Sequence, residues 1–181
     1  METLTKLDFS ILYGIQAHLR CGFLDFILPK ITWLGNAGLI WLIAAGLLLL
    51  TKKYRRAGVV LLAGLAVGFL IGNLTLKPLV ARSRPCWLDG SVPLLIPVPT
   101  DASFPSGHTL SSVIAAFLLT VADRRFAIVA IPLAVLIAFS RLYLFVHFPT
   151  DVLAGAVLGV LIAGVVRMVS DRIAEKHKIE K

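Results

Sequence analysis

The residues best suited to chemistry lie in three short polar segments of an otherwise apolar sequence. In the first segment, Lys77 and Arg84 stand seven residues apart, and Pro85 follows Arg84 directly. Seven residues make about two helical turns, so both cations can share one helix face, and Pro85 then ends the helix. Two cations fixed on one face suit a phosphate or diphosphate group. Considered alone, the segment fits equally well a pair of interfacial charges that snorkel at the end of a membrane span.

The second segment, residues 105–109, has the features of an anion-binding helix N-terminus. Ser106 is a good N-cap residue, which leaves the backbone N–H groups of Gly107 and His108 free at the start of the next helix. Such N–H groups bind anions, and glycine lets a phosphate approach the backbone closely. His108 lies beside this position and could donate a proton. On its own, a purely structural cap is the simpler explanation of Ser106.

The third segment holds Arg141, His147 and Asp151. The Arg141 guanidinium adds another forked donor for phosphate. Pro149 suits the first position of a helix, which would put His147 just before the helix and Asp151 in its first turn. The carboxylate can then reach one ring nitrogen, fix the imidazole tautomer and leave the other nitrogen as an in-line nucleophile. For this segment alone, the simpler explanation is a structural pair in which His147 and Asp151 only satisfy each other's hydrogen bonds.

Considered together, the three segments predict one phosphate site. They supply three cations, a helix N-terminus, two histidines and an aspartate. No zinc-binding spacing such as His-Glu-x-x-His occurs in the sequence, and no group of carboxylates is placed to hold magnesium. The pattern therefore predicts a phosphate site without a metal or other cofactor, in which a histidine is the nucleophile.

The elements that must position these residues are membrane helices. Of the 181 residues, 58% are hydrophobic and only 15% are charged, and the mean hydropathy is +0.90. Long apolar runs of this kind are typical of membrane spans and exclude an ordinary soluble domain. The net charge of +8 does not indicate a nucleic-acid partner, because the basic residues stand between apolar runs rather than on one soluble face. The predicted partners are the bilayer and an anionic substrate.

We predict an all-α, polytopic membrane helix bundle that forms a single domain over residues 1–181. Five transmembrane helices are expected, at 38–50, 57–81, 106–121, 126–142 and 150–166. Residues 1–35 mix apolar and charged side chains and predict short helices that lie at the membrane interface or pack under the bundle, with a sixth span as the alternative. Residues 38–166 form the catalytic core, four prolines make residues 82–104 a non-helical loop, and residues 167–181 form a charged tail.

Counting the membrane crossings places all three polar segments on the same side of the membrane. The opposite ends of the spans carry more lysine and arginine, in residues 52–56, 124–125 and 167–181. No catalytic role is predicted for these charges. An excess of cations in short connections marks the cytoplasmic side. We therefore predict a multi-pass protein of the cell membrane, with an extracytoplasmic catalytic face and a cytoplasmic C-terminus.

The three segments together resemble the signature of the type 2 phosphatidic acid phosphatase family, whose relatives include lipid phosphate phosphatases, undecaprenyl diphosphate phosphatases and vanadium haloperoxidases. The matching positions are Lys77-x6-Arg84-Pro85, Pro105-Ser106-Gly107-His108 and Ser140-Arg141-x5-His147-x3-Asp151. The resemblance covers roughly residues 33–166, in both motifs and span layout. The N-terminal part differs from that of longer members, because it lacks an unambiguous extra span.

The resemblance implies a role for each matching residue. His147 would attack phosphorus and form a phosphohistidine, and Asp151 would orient its ring. His108 would protonate the leaving group and then activate the water that releases phosphate. The phosphoryl oxygens would be bound by residues that each offer a donor: Lys77, Arg84, Ser106, Gly107 and Arg141.

The expected function is hydrolysis of a phosphate from a membrane lipid phosphate or diphosphate. Conversion of undecaprenyl diphosphate to undecaprenyl phosphate, a step in cell wall biogenesis, is our first choice, because a compact domain with an outward-facing site suits recycling of a carrier lipid. Phosphatidic acid, phosphatidylglycerol phosphate and lipid A, which belong to phospholipid and lipid A metabolism, are alternatives that a phosphate motif does not distinguish. A vanadate-dependent haloperoxidase and a small membrane transporter are more remote, since the chain is small and membrane-embedded and its polar groups gather at one face.

Overall fold

The computed structural model describes residues 2–179, and this part of the chain contains helices and loops but no β-strand. The α-helices, in chain order, are α1 (Glu2–Leu19), α2 (Gly22–Leu34), α3 (Leu39–Leu50), α4 (Arg55–Gly68), α5 (Lys77–Val80), α6 (Pro85–Leu88), α7 (Gly107–Ala122), α8 (Ala127–Tyr143) and α9 (Pro149–Ile179). Short 3₁₀ turns precede α3 (Asn36–Gly38) and α8 (Arg124–Phe126), and a π-helical segment (Phe69–Leu76) joins α4 to α5. The predicted all-α membrane helix bundle is confirmed.

Helix α7 lies at the centre of the bundle, where it packs against α4, α8 and α9. Four fully buried side chains, one from each of these helices, belong to a single apolar cluster: Leu61, Ile114, Ile137 and Ala163. Helix α3 packs on α4, and the N-terminal helices α1 and α2 pack on α8. The position of α7 is therefore fixed from several sides, and its N-terminus carries the second polar segment.

Two glycines bring neighbouring helices into close contact with the α7 segment. A Cβ atom at Gly155 on α9 would lie 2.8 Å from the backbone oxygen of Ser106, and one at Gly68 on α4 would lie 2.5 Å from a methyl carbon of Ile114. Small residues allow membrane helices to approach this closely. The contact at Gly155 holds the N-terminal part of α9 against the start of α7, where the Ser106 N–H donates to the backbone oxygen of Asp151 at 3.1 Å.

The five predicted spans are all helical, but they are not equally long. Within residues 2–179, three helical stretches are long and apolar enough to cross a membrane: Arg55–Leu88, Arg124–Tyr143 and Pro149–Lys176. Helix α3 has 12 residues, which rise only about 18 Å, so it needs α2 to reach the thickness of the hydrocarbon core. The two helices form a pair bent by 49° that would be a fourth span, and α7 is a shorter apolar helix of 16 residues.

Two boundaries differ from the predicted ones. The loop predicted at 82–104 contains the one-turn helix α6, which begins at Pro85 because proline suits the first position of a helix. Helix α9 continues through the predicted tail as far as Ile179, and residues 180–181 of that tail lie outside the described part of the chain. The assignment of residues 1–35 to the membrane interface stays a prediction.

Candidate active site

The predicted site residues converge at one end of the bundle, around a cavity of about 920 Å³. Six of them line this cavity: Lys77, Arg84, Gly107, His108, Arg141 and His147. The other two, Ser106 and Asp151, are fully buried next to its wall. The structure thus brings all three polar segments of the sequence together at one place.

Lys77 and Arg84 reach the cavity by a route that differs from the predicted one. Lys77 begins α5 directly after the π-helical segment, and the chain leaves this helix at Ala81, whose φ is 46°. Arg84 follows in an extended conformation, with φ −82° and ψ 155°. The prediction that both cations share one helix face is therefore wrong. They meet because the chain turns at Ala81, after a π-helical segment of a kind frequent at functional sites.

Asp101, which no motif of the sequence marks, joins these two cations. Its Oδ2 contacts Lys77 Nζ, and its Oδ1 accepts a hydrogen bond of 2.7 Å from Arg84 Nη2. Burial alone would raise the pKa of this carboxyl group, but the hydrogen bond and charge of Lys77, together with the charge of Arg84, lower the pKa to about 2. Asp101 is therefore a carboxylate throughout the ordinary pH range.

His147 is buried in the short connection between α8 and α9. Its Nε2 lies 3.1 Å from Arg84 Nη1, and because a guanidinium can only donate, Nε2 accepts and the proton resides on Nδ1. Desolvation of the buried ring, followed by the charges of Arg84 and Arg141, lowers the pKa of His147 well below its ordinary value. The imidazole is therefore neutral, with its lone pair beside the cations of the cavity.

Asp151 does not make the direct hydrogen bond to His147 that the sequence predicts. Its Oδ2 lies 3.6 Å from His147 Nδ1, which is beyond hydrogen-bond range. The hydroxyl of Ser103 contacts both groups, at 3.4 Å from Nδ1 and 2.5 Å from Oδ2. The backbone N–H of Phe148 also donates to Oδ2, at 2.9 Å. Ser103 and the start of α9 thus hold the carboxylate, whose charge still faces the protonated ring nitrogen.

A second group of polar residues holds Asp151 from the opposite side. Arg82 Nη1 donates to Asp151 Oδ1 at 2.6 Å, and Arg82 Nη2 donates to Asp8 Oδ2 at 2.8 Å. Both the hydroxyl and the backbone N–H of Thr150 donate to Asp8. Asp8 lies on α1 and is fully buried, and a buried charge needs such partners. The N-terminal helix is therefore connected to His147 through a short series of polar contacts that are partly or fully buried.

The N-terminus of α7 has the predicted N-cap. Ser106 Oγ accepts hydrogen bonds from the backbone N–H of Thr109 at 3.4 Å and from the Thr109 hydroxyl at 3.0 Å. A Cβ atom at Gly107 would lie 3.0 Å from Asn73 Oδ1, so glycine lets the π-helical segment approach the start of α7. Asn73 also lines the cavity, and its amide adds a polar group beside the Gly107 backbone.

Helix α2 and the turn that follows it supply further partners to the site. His108 Nε2 lies 2.9 Å from Asn36 Oδ1, so this ring nitrogen donates. Arg141 Nη1 donates to the hydroxyl of Thr32 at 2.6 Å. Arg141 is buried, and its Nε has no hydrogen-bond partner among the residues that the structure describes. An unpaired buried N–H is costly, and an anion in the cavity would supply the missing acceptor.

The composition of the cavity wall favours a polyvalent anion. The described residues contain no group of three or more His, Cys, Asp or Glu that could hold a metal ion. The charged groups at the cavity are instead the cations Lys77, Arg84 and Arg141 and the carboxylate Asp101. The ammonium group of lysine and the guanidinium group of arginine bind phosphate strongly. With a neutral His147 beside them, the arrangement can support transfer of a phosphoryl group to histidine.

Comparisons with known proteins relate this chain to membrane phosphatases. The model of the PAP2 superfamily matches residues 54–174. A protein named undecaprenyl-diphosphatase from Sulfolobus acidocaldarius is 38% identical over 121 residues, which cover 66% of this chain and 58% of that protein. Phosphatidylglycerophosphatase B from Bacillus subtilis is 34% identical over 170 residues, which cover 86% of this chain and 79% of that protein. The chain thus spans between half and two thirds of the length of the undecaprenyl-diphosphatases that it matches.

A solved structure extends the similarity to nearly the whole chain. The crystal structure of a transmembrane PAP2 type phosphatidylglycerolphosphate phosphatase from Bacillus subtilis is similar with a TM-score of 0.78 and 27% sequence identity. The similarity covers 96% of this chain and 89% of that one. It therefore includes the N-terminal helices as well as the helices that carry the three polar segments.

Proposed function

The chain belongs to the PAP2 superfamily, and on this basis we propose that it is a membrane phosphatase that removes a phosphate from a lipid phosphate or diphosphate. The observation that supports the proposal most is the neutral His147 beside Arg84, with the unpaired Nε of Arg141 at the same cavity. Phosphoryl transfer needs mainly positioning and charge stabilisation. A buried nucleophile among fixed cations provides both.

In the proposed reaction, His147 Nε2 attacks phosphorus while the bond from phosphorus to the leaving oxygen breaks. The product of this step is a phosphohistidine, and the negative charge of Asp151 stabilises the positive charge that develops on the ring. His108 protonates the leaving oxygen, then takes a proton from the water that hydrolyses the phosphohistidine and releases inorganic phosphate. The phosphoryl oxygens are bound throughout by donors from all three polar segments: Lys77, Arg84, Ser106, Gly107 and Arg141.

The apolar part of the cavity supports a lipid substrate. Five apolar side chains line the same cavity as the cations: Leu42, Leu62, Leu65, Ala66 and Phe69. They come from α3, α4 and the start of the π-helical segment. A lipid phosphate needs a polar subsite for its head group and an apolar one for its chain, and a single cavity offers both.

Undecaprenyl diphosphate is the substrate that we propose first. It is supported by the 38% identity to a protein of that named activity and by three cations at the site, which suit the additional charge of a diphosphate. Phosphatidylglycerol phosphate comes second, because the relative named for that activity matches a larger share of this chain, 86%. Phosphatidic acid and lipid A carry the same phosphate chemistry and remain alternatives.

A phosphate-release assay on the purified protein tests the proposed function. Undecaprenyl diphosphate, phosphatidic acid and phosphatidylglycerol phosphate are presented at equal concentration in detergent micelles, with and without EDTA. We expect release to be fastest from undecaprenyl diphosphate and to persist in EDTA, because side-chain cations stabilise the transition-state charge that a metal ion stabilises in other phosphatases. Absence of release from all three lipids would contradict the proposed function. Loss of release on chelation, with recovery on adding magnesium, would contradict the metal-free site.

The catalytic end of the bundle is proposed to face away from the cytoplasm. The opposite end carries the larger share of lysine and arginine, including Arg56, which pairs with Asp171 at 2.7 Å. A surplus of cations next to membrane helices marks the cytoplasmic side. Lipid substrate would then reach the site from the outer leaflet, where a spent carrier lipid diphosphate would be found.

Single cysteines on the two ends of the bundle test this orientation. A Cβ atom at Gly90, in the loop at the catalytic end, would meet no neighbouring atom within 4 Å, and Glu175 is exposed near the end of α9. Each is replaced by cysteine in a protein that lacks Cys21 and Cys86, and intact cells are treated with a membrane-impermeant thiol reagent. We expect labelling at position 90 and none at position 175 until the cells are opened. The reverse pattern would overturn the orientation and weaken the carrier-recycling role with it.

A further inference from the structure

We infer that the Asp101 carboxylate competes with phosphate for the donors of the phosphate subsite and has to be displaced when a phosphate binds. This inference rests on the proposed function, because it concerns the same subsite. It gives Asp101 a role in specificity and in product release. The carboxylate competes with every anion that enters the cavity, so a strongly charged phosphate displaces it more readily than a weakly charged anion does.

Every N–H group of Arg84 already has an acceptor among the described residues. A guanidinium has five such groups. Nε donates to the backbone oxygen of Asp101, and Nη2 donates to Asp101 Oδ1 and to the backbone oxygen of Ala102. Nη1 faces the backbone oxygen of Val146 and His147 Nε2. A phosphate oxygen can therefore bind Arg84 only after one of these acceptors has left.

The Asp101 side chain is the acceptor that can leave most easily. The oxygens of Ala102 and Val146 belong to the backbone, and the His147 ring is buried. The Asp101 carboxylate, in contrast, is carried by a side chain that is 53% exposed. The side chains of its two partners, Lys77 and Arg84, are 9% and 2% exposed. Water can solvate the carboxylate as soon as it turns outward. Lys77 and Arg84 have no other ion-pair partner among the described residues, so they would lose this charge compensation if they moved apart. The exchange therefore moves the acceptor and leaves the donors in place.

The incoming anion, and not a change of pH, drives this exchange. Lys77 and Arg84 hold the pKa of Asp101 at about 2, so protonation does not release the carboxylate in the ordinary pH range. A phosphate monoester carries nearly two negative charges at neutral pH, and it compensates the three cations better than one carboxylate does. After hydrolysis, inorganic phosphate has lost the contacts of the lipid chain. The returning carboxylate then competes for the same donors and assists its release.

Binding of inorganic phosphate to the purified protein tests the inference without any measurement of turnover. The rise in thermal stability with phosphate concentration gives a dissociation constant for each variant in the same detergent. Asp101→Asn removes the competing charge, and Asp101→Glu restores it. Asp89→Asn is the matched control, because Asp89 lies earlier in the same chain segment. Its carboxylate accepts a hydrogen bond from the Tyr13 hydroxyl and does not contact Lys77 or Arg84.

Asp101→Asn is expected to bind inorganic phosphate about tenfold more tightly than the unchanged protein, as removal of one competing charge-assisted contact predicts. Asp101→Glu and Asp89→Asn should stay within about twofold of the unchanged protein. Unchanged or weaker phosphate binding in Asp101→Asn would overturn the inference. It would mean that Asp101 holds Lys77 and Arg84 in position and does not compete with phosphate. If that variant does not fold, Asp101→Ser is measured in its place and decides in the same way. Tighter phosphate binding without lipid hydrolysis would contradict the proposed function and leave this inference standing.

Discussion

His147→Ala is expected to lower phosphate release from the preferred lipid by roughly four orders of magnitude or more. The variant loses the nucleophile, and no neighbouring group among the described residues is free to replace it. The Ser103 hydroxyl is bound to Asp151. The second histidine of the site, His108, is bound through Nε2 to Asn36. The measurement is the initial rate of phosphate release by purified protein.

The control for this experiment is His18→Ala. His18 is exposed on α1, so the same change of residue type there should leave the rate unaltered. Asp151→Asn should reduce the rate by a large factor, but by less than His147→Ala does, because it disturbs the ring orientation and charge without removing the nucleophile. Near-normal activity of His147→Ala in a well-folded preparation would contradict the proposed mechanism.

His108→Ala is expected to lower kcat by about 10³-fold on an alkyl phosphate and by only about tenfold on an aryl phosphate of similar size. The physical reason lies in the leaving group. An alkoxide is a poor leaving group that needs a proton as the bond to phosphorus breaks, whereas a phenolate leaves readily without one. The residual loss on the aryl substrate reflects the second role of His108, which is activation of the water that hydrolyses the intermediate. Steady-state rates on the two soluble substrates give the comparison.

The two rates in His108→Ala must be judged against a control that leaves the site intact. His18→Ala serves again, and it should retain the same ratio of alkyl to aryl turnover as the unchanged protein. An equal loss on both substrates in His108→Ala would mean that His108 contributes to phosphate binding rather than to proton transfer. The hydrogen bond from His108 to Asn36 would then position His108 as a hydrogen-bond donor to phosphate and not as a general acid.

The sequence predicted the members of the site because each polar segment is local. Ser106 is marked as an N-cap by its place before an apolar run, and Pro149 marks the start of the helix that carries Asp151. The positions of these helix ends follow from capping and proline chemistry, and both are as predicted. The number of crossings between the segments then placed them on the same side of the membrane.

The residues that the sequence did not reveal depend on contacts between distant parts of the chain. Asp101 is one of two aspartates in a proline-rich loop, and no spacing relates it to Lys77 or Arg84. Asp8 stands in a helix whose residues are mostly apolar, and neither residue type nor spacing relates it to its partner Arg82. Recognising the pair requires knowledge that α1 packs on the bundle.

Backbone geometry explains the other differences between sequence and structure. The spacing of Lys77 and Arg84 predicts that a continuous helix brings them together, whereas the π-helical segment and the positive φ of Ala81 do so instead. The distance between His147 and Asp151 is longer than predicted because the carboxylate also accepts the Phe148 N–H at the start of α9. Neither feature has a marker in residue type or spacing.

Detection of a phosphohistidine at His147 is the most direct test of the proposed mechanism. His108→Ala protein is mixed with an aryl phosphate, because in this variant hydrolysis of the intermediate is slowed more than its formation. The reaction is stopped in alkali, where phosphohistidine is stable, and the peptides are analysed by mass spectrometry. We predict phosphate on the peptide that contains His147, and none on that peptide in the His147→Ala protein. Phosphate on a different residue, or release of the aryl group without any phosphorylated peptide, would contradict histidine as the nucleophile.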